Sequence, residues 1–356
     1  MREERWNEAD TLIRRKFGAV PYGDQVLFAV MGRDTASLRQ LRAQAPEKAG
    51  QKGRRTSGLA LETGWLLATY LENLERADEF TRFGTASSLT SGLQASAHQL
   101  LADLAIAGGR WSAAKTEFAA AGIAHPDSAL VERALAATLP FLAVPKPDLE
   151  GVRAEVERWE PGSDVSTPLP ESVRPLTGHL RLYLLGLLSA RLGDTTDALR
   201  YASEMERRNT PSDSRALVRD LGRTIRADVA AGAGRTEEAL SQLEGVRGEV
   251  PFELIRLPYF SGEHARYLRS LLLHRVGREE ESLHLLEVAF TGTPNELHYR
   301  APMHLLRATM YQRLNKRTAA AEHYSRFLKL WGACDPALRP VLADAKVELA
   351  ALTAER

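Results

Sequence analysis

The sequence predicts an all-α solenoid of about seven helical hairpins closed by a C-terminal capping helix. Three observations carry this. Apolar residues recur at three- and four-residue steps through almost the whole chain, and no stretch alternates as a half-buried strand would. Ala, Leu, Glu and Arg, all strong helix formers, dominate. Small turn residues separate apolar helical runs at Gly109, Gly193, Gly234, Gly277 and Asn315, with gaps of 84, 41, 43 and 38 residues. A chain of 356 residues would otherwise suggest roughly two or three domains, but a repeat array does not count domains by length.

Taken in order, residues 1–55 form a helical N-terminal segment with 12 Lys+Arg against 7 Asp+Glu. Its helices are expected over Glu3–Phe17, around Gln25–Met31 and after Asp34-Thr35. Residues 56–160 carry the N-terminal hairpins. One lies in Ser57–Phe83 with a turn near Asn73, one turns at Gly109, and one is Ala129–Val144 followed, after the Pro145–Asp148 break, by Asp148–Trp159. Residues 161–175 are a polar, Pro-rich linker and a candidate joint. Residues 176–334 hold the hairpins that turn at Gly193, Gly234, Gly277 and Asn315, and 335–356 supply the cap. A terminal cap is needed because the last hairpin otherwise exposes an apolar face.

Alignment on the turn residue sharpens the pattern. Five positions later stand Ala114, Ala198, Ala239, Ser282 and Ala320, and seven positions earlier Ala102, Gly186, Ala227, Ser270 and Ala308. Small side chains in fixed columns are what two closely packed antiparallel helices require. Nine positions later come Phe118, Ala202, Leu243, Leu286 and Tyr324, and Pro126, Pro251 and Pro294 end three units. The turn glycines suit a left-handed C-cap, and Ser112, Thr195, Thr236 and Thr318 are the expected N-caps of the second helices.

These columns resemble the tetratricopeptide repeat (TPR). The unit around Gly109 carries the likeness best, with Leu101, Ala102, Gly109, Ala114, Phe118, Ala121 and Pro126 in the family's positions. Gly234-Arg-Thr-Glu-Glu-Ala239 and Gly277-Arg-Glu-Glu-Glu-Ser282 are similar to its common turn. The likeness covers roughly Ser57–Trp331, with one departure: units of 38–43 residues where the family has ~34. It implies a right-handed superhelix whose first helices line a concave groove that holds partner peptides. The tail, from Ala321-Glu-His-Tyr-Ser-Arg-Phe-Leu-Lys-Leu-Trp331 through Pro340, resembles the end of TPR-rich regions in bacterial signalling proteins. Those regions are often joined to Ser/Thr kinase, cyclase or winged-helix domains. No kinase Gly-rich loop or His-Arg-Asp catalytic loop occurs here.

Catalytic equipment is sparse. The single Cys334 excludes a disulfide framework and multi-Cys metal sites, and no base or Gly-rich turn marks it as a nucleophile. His264, His274, His284, His298, His304 and His323 contain no i,i+3 or i,i+4 pair, the spacing that brings two rings to one ion. There is no Gly-x-Ser-x-Gly elbow, and Ala231-Gly-Ala-Gly-Arg-Thr236 lacks the rest of a phosphate loop. The expectation is therefore no catalysis, no cofactor and no metal. A net charge of +1 excludes a polyanion binder recognisable from bulk charge, so nucleic acid is not the expected partner. The basic loop Lys48, Lys52, Arg54 and Arg55 before Thr56/Ser57 reads either as an anion site at a helix start or as a solvated loop. The best apolar run, Leu180–Leu192, carries Arg181 and Arg191, and the N-terminus has no apolar signal core. The expected location is cytoplasmic.

The sharpest local feature is a set of arginines in register. Eleven and eight positions before the turn stand Arg223/Arg226, Arg266/Arg269 and His304/Arg307, each pair sharing one face of a first helix, with Arg219 and Arg300 extending it. Stacked repeats would align them into a ladder. If the ladder lies in the groove the resemblance implies, it suits an acidic or phosphorylated segment held by guanidinium forks. Equally, Glu237, Glu238, Glu279, Glu280 and Glu281 open second helices and could pair with it, leaving only stacking order. Tyr183 and Tyr267, ten before the turn, are further contact candidates. The sequence thus reads as a non-catalytic protein-interaction scaffold in bacterial signalling. The alternatives are a sensor region that binds a peptide or small effector for a linked domain, and an unrecognised helical enzyme.

Overall fold

A computed structural model describes residues 6–53, 58–161, 174–250, 254, 262–287 and 294–354. Every regular element among them is helical. Three helices come first: α1 (Trp6–Phe17), α2 (Tyr22–Met31) and α3 (Thr35–Lys48). Asp34 caps α3, its carboxylate accepting from the N–H groups of Ala36 and Ser37. Arg54, Arg55, Thr56 and Ser57, the core of the basic loop and its expected helix start, lie outside the described residues, as does most of the Pro-rich linker.

Seven helical hairpins follow. They are α4 (Leu59–Leu71) with α5 (Leu74–Arg82), α6 (Ser91–Ala107) with α7 (Trp111–Ala121), and α8 (Pro126–Thr138) with α9 (Lys146–Arg158). Then come α10 (Thr177–Leu192) with α11 (Thr195–Arg207), α12 (Arg215–Gly232) with α13 (Thr236–Glu244), α14 (Glu263–Arg275) with α15 (Glu279–Glu287), and α16 (Pro294–Arg313) with α17 (Arg317–Trp331). The cap is α18 (Arg339–Ala354), entered through a single 3-10 turn at Pro336–Leu338. All five aligned turn residues adopt positive φ, from +56° at Asn315 to +80° at Gly193. That is the left-handed conformation that ends a helix and starts the return. The small columns are buried: Ala102, Ala114, Ala198, Ala227, Ala239, Ala308 and Ala320 are all 0% exposed.

The expected N-caps are corrected by one or two residues. Ser112, Thr195, Thr236 and Thr318 lie inside their helices, and Arg110, Asp194, Arg235 and Lys316 occupy the cap positions. The turn residue's positive φ is followed at once by a non-helical one, so the cap falls immediately after the glycine. Only Asp194 offers a side-chain acceptor there, to Asp197 N–H.

The hairpins do not run out as an open superhelix. Each first helix packs on the next from α8 through α10, α12, α14 and α16, and α16 then packs on α6, while α7 lies against α8. Hairpins two to seven therefore make a closed circuit. The closure is specific. Leu297 of α16 belongs to the apolar cluster built by α2, α4 and α6. His298 Nε2 lies 3.0 Å from Asp103 Oδ1, and Trp331 Nε1 donates to Ala107 O at 3.2 Å. Gly109 is held against Cys334, Leu338 and Trp331, so closely that a Cβ there would lie 3.1–3.2 Å from all three. Across the linker, α8 and α9 pack directly on α10.

Arginines also fasten successive units. Two positions before the turn, Arg191 donates to the carbonyls of Pro140 and Leu142, and Arg313 to that of His274. Both reach back to carbonyls of the preceding unit; Pro140 and Leu142 lie in the α8–α9 connection, and His274 lies in the last turn of α14, where the helix dipole places negative charge.

Candidate functional site

The predicted ladder is divided among several structural partners. With about 100° per helical residue, positions eight and eleven before the turn face the flanking second helices, while positions ten, six and two face inward. Arg226 forks onto Glu206 of α11, with both Nη atoms 2.7 Å from carboxylate oxygens. That hydrogen-bonded pair raises the guanidinium's pKa. Arg223 donates to the Gly245 carbonyl at the end of α13, and Arg266 lies 3.3 Å from Glu263. The glutamates expected to face the ladder pair elsewhere: Glu238 with Arg235, Glu281 with Arg278, and Glu279 with His274 and Arg313. Arg269 and Arg307 differ from the rest. Each is half-buried, its Nε has no hydrogen-bond partner, and neither forms an ion pair among the described residues. Burial pushes the Arg307 guanidinium down from its usual value.

Tyr183 and Tyr267 do not line an open groove. They are 3% and 7% exposed, because circuit closure turns the inward column into core. Phe141, from the α8–α9 connection, meets Tyr267 and Tyr299 edge-on at 5.4 and 5.3 Å and Trp331 at 6.5 Å. Burial drives the hydroxyl pKa of both predicted tyrosines upward.

Two recesses among the described residues bear on the site, besides one of about 520 Å³ between α16, α17 and α18. The first is an open cleft of about 310 Å³ among the C-terminal halves of α8, α10, α12 and α14. Leu187, Ala190, Ala231, Leu268 and Leu271 form its floor, and Arg191, Asp228 and Arg275 its polar rim. Arg191 is occupied by carbonyls and Asp228 by His264 Nε2 at 2.7 Å. Arg275 is exposed and forms no ion pair among the described residues. The second recess is a partly enclosed central cavity of about 50 Å³, where Glu263, His264, Tyr183 and Tyr299 meet apolar side chains of α8, α10 and α12. Glu263 is 1% exposed and neither carboxylate oxygen has a hydrogen-bond partner. Burial first, and then the neighbouring Glu296, push its carboxyl up to about 7 against the pull of Arg266 and Arg300.

A third polar cluster lies where the circuit closes. Glu72, in the left-handed conformation at the end of α4, accepts from His304 Nε2 (3.0 Å), Arg326 Nε and Nη2 (2.9 and 2.6 Å) and Arg300 Nη1 (3.4 Å). Burial works to raise its carboxyl, but the hydrogen bonds and charges of His304 and Arg326 hold it well below the usual carboxylate range. His304 Nδ1 meets His323 Nδ1 at 2.8 Å, so one ring nitrogen must donate and the other accept. Burial, then His304 and the arginines 307 and 326, push His323 down to about 3.

Four of the six C-terminal histidines take a carboxylate: His264 with Asp228, His274 with Glu279, His298 with Asp103 and His304 with Glu72; His323 meets the His304 ring, and His284 is exposed. Among the described residues no group of three or more His, Cys, Asp or Glu could hold a metal ion. Cys334 is buried against Gly109, and burial raises its thiol. No helix among the described residues is long and apolar enough to cross a membrane. Sequence reasoning missed Glu72, Glu263 and Arg275. Of these only Arg275 left a signal, since Arg191, Arg275 and Arg313 share the column two before the turn.

Together these features define an all-α helical-hairpin repeat protein with an inward-facing cleft. No family model matches the chain, and no curated protein matches it. Among solved structures it is similar to a tetratricopeptide repeat protein from Parabacteroides merdae ATCC 43184, at 14% identity and a TM-score of 0.39, over 85% of this chain and 99% of that one.

Proposed function

We propose that the chain is a non-catalytic protein-interaction scaffold that holds an acidic or phosphorylated partner segment on the inner face of its hairpin array. The observation that carries this reading is the cleft between α10, α12 and α14. It pairs an apolar floor with Arg275, an exposed guanidinium that the chain leaves unpaired among its described residues. A guanidinium fork matches carboxylate or phosphate, and an apolar floor supplies area around it. Arg269 and Arg307 are secondary anchors, since neither forms an ion pair among the described residues, whereas Arg223, Arg226 and Arg266 serve the array. The bacterial signalling setting rests on the tail residues Ala321–Trp331 and the likeness they carry. Fluorescence anisotropy tests the reading: labelled Glu-rich and phosphoserine peptides should bind with steep salt dependence, and Arg275→Glu should abolish binding while circular dichroism stays unchanged.

A second reading, a sensor region that answers a small effector, is favoured by the central cavity, which is too small for a peptide. The two readings concern different recesses and can both hold.

A further inference from the structure

We propose that the central cavity between α8, α10, α12 and α14 binds a compact organic cation, a primary amine with a short apolar body, through the carboxylate of Glu263. The proposal rests on the effector reading and names its ligand class. It is independent of the scaffold reading.

The charge at the cavity carries the inference. Among its described lining residues are two carboxylates, Asp220 and Glu263, and no Lys or Arg. Asp220 is already committed, its Oδ2 accepting from the N–H groups of Arg247 and Gly248 at 3.0 Å each. Glu263 is not: it is buried, both oxygens lack hydrogen-bond partners, and its one neighbouring cation in ion-pair range, Arg266, stands 3.3 Å from a single oxygen. A buried carboxylate left this way costs stability unless a cation or donor reaches it. His264 cannot serve, because its Nδ1 meets Tyr299 Oη at 3.1 Å and its Nε2 meets Asp228. The other side-chain polar groups in the wall are hydroxyls: Thr138 and Thr224 each donate to a backbone carbonyl of their own helix, and the Tyr183 hydroxyl makes no hydrogen bond to described residues, so all three oxygens can accept from an ammonium.

The walls set the ligand's body. Leu135, Leu139, Leu187, Leu217 and Leu221 surround the polar end. A volume of about 50 Å³, against the ~10–15 Å³ one water needs, takes a head group and a few methylenes, not a side chain–bearing peptide. Anions are disfavoured by two carboxylates without a lining cation, and a neutral alcohol can donate one hydrogen bond to Glu263 but leaves its charge uncompensated.

The test uses the full chain and n-butylamine, with n-butanol and butyrate as isosteric controls, followed by saturation-transfer NMR and calorimetry at pH 8. The expected result is saturable binding of butylamine at least tenfold tighter than either control, weakened tenfold or more in Glu263→Gln. Should that variant fold poorly, the amine-over-alcohol ratio on the native chain decides by itself. Butanol or butyrate binding as tightly as butylamine would overturn the cation assignment while leaving an effector cavity. Binding of none of the three would overturn the assignment and the effector reading together. Peptide binding in the cleft is unaffected by any of these outcomes.

Discussion

Asp335 caps a helix that begins more than two hundred residues before it: its carboxylate accepts from both the backbone N–H of Ser112 at 3.1 Å and the Ser112 hydroxyl at 2.7 Å. Its own N–H donates to Gly109 O at 3.0 Å. The start of α7 thus takes its capping acceptor from the far end of the chain rather than from Arg110, which supplies none. Removing the acceptor should cost about 1 kcal/mol, the usual value of an N-cap. Asp335→Ala is expected to lower the urea midpoint with an unchanged slope. Hydrogen exchange should quicken at the first turn of α7 and the entry to α18, and Asp335→Asn should restore part of the loss.

Glu72 is the charge hub of the closure. Its carboxyl lies below the unfolded value near 4.5, so its stabilisation is complete above that pH and is lost as pH falls through the folded value. Glu72→Gln keeps one acceptor oxygen but removes the negative charge that Arg300, Arg326 and His304 share and turns the second oxygen into a donor facing Arg326. The cost at pH 7 should be roughly 3 kcal/mol, the low end for a broken buried pair because Arg326 is 40% exposed. Denaturation at pH 7 and pH 4 checks it: the gap between native chain and variant should narrow on acidification.

Glu263 behaves oppositely. Its folded pKa, raised to about 7 from 4.5, means that its protonated form is favoured on folding. That contribution is present below pH 4.5 and is lost as pH rises through 7. Glu263→Gln should therefore be more stable than the native chain at pH 8, by up to about 3 kcal/mol, and nearly equal at pH 5. Thermal melts at the two pH values read the difference directly.

The ladder should split by mutation as it splits by geometry. Arg226→Ala breaks a two-pronged, partly buried pair with Glu206 and is expected to cost about 1 kcal/mol. Arg269→Ala and Arg307→Ala break no ion pair and should stay within about 0.5 kcal/mol of the native chain. If they contact the partner as proposed, they lower peptide affinity without moving the melting curve.

What was legible in the sequence was local. A turn glycine, a small residue five positions on and another seven back constrain one hairpin each, and those hairpins form where the columns place them. The closure was not legible, because His298 with Asp103, and Asp335 with Ser112, are contacts between distant segments with no local spacing to announce them. The arginine register fails for a related reason. Moving from column ten to column eight rotates a side chain by about 200°, from the inner face to the flanking helices. Periodicity shows which residues share a face but not which neighbour that face will meet. Circuit closure then converted Tyr183 and Tyr267 from a groove surface into core.

The central claim is that the inner-face cleft captures an acidic segment through Arg275. Its most direct measurement is the anisotropy titration of a labelled phosphoserine, Glu-rich peptide against the native chain, Arg275→Glu and Arg223→Ala at low salt. The expected result is saturable binding to the native chain and to Arg223→Ala, and none to Arg275→Glu at an unchanged melting temperature. Binding that survives Arg275→Glu, or an acidic peptide that binds no better than a basic one of the same length, would contradict the account.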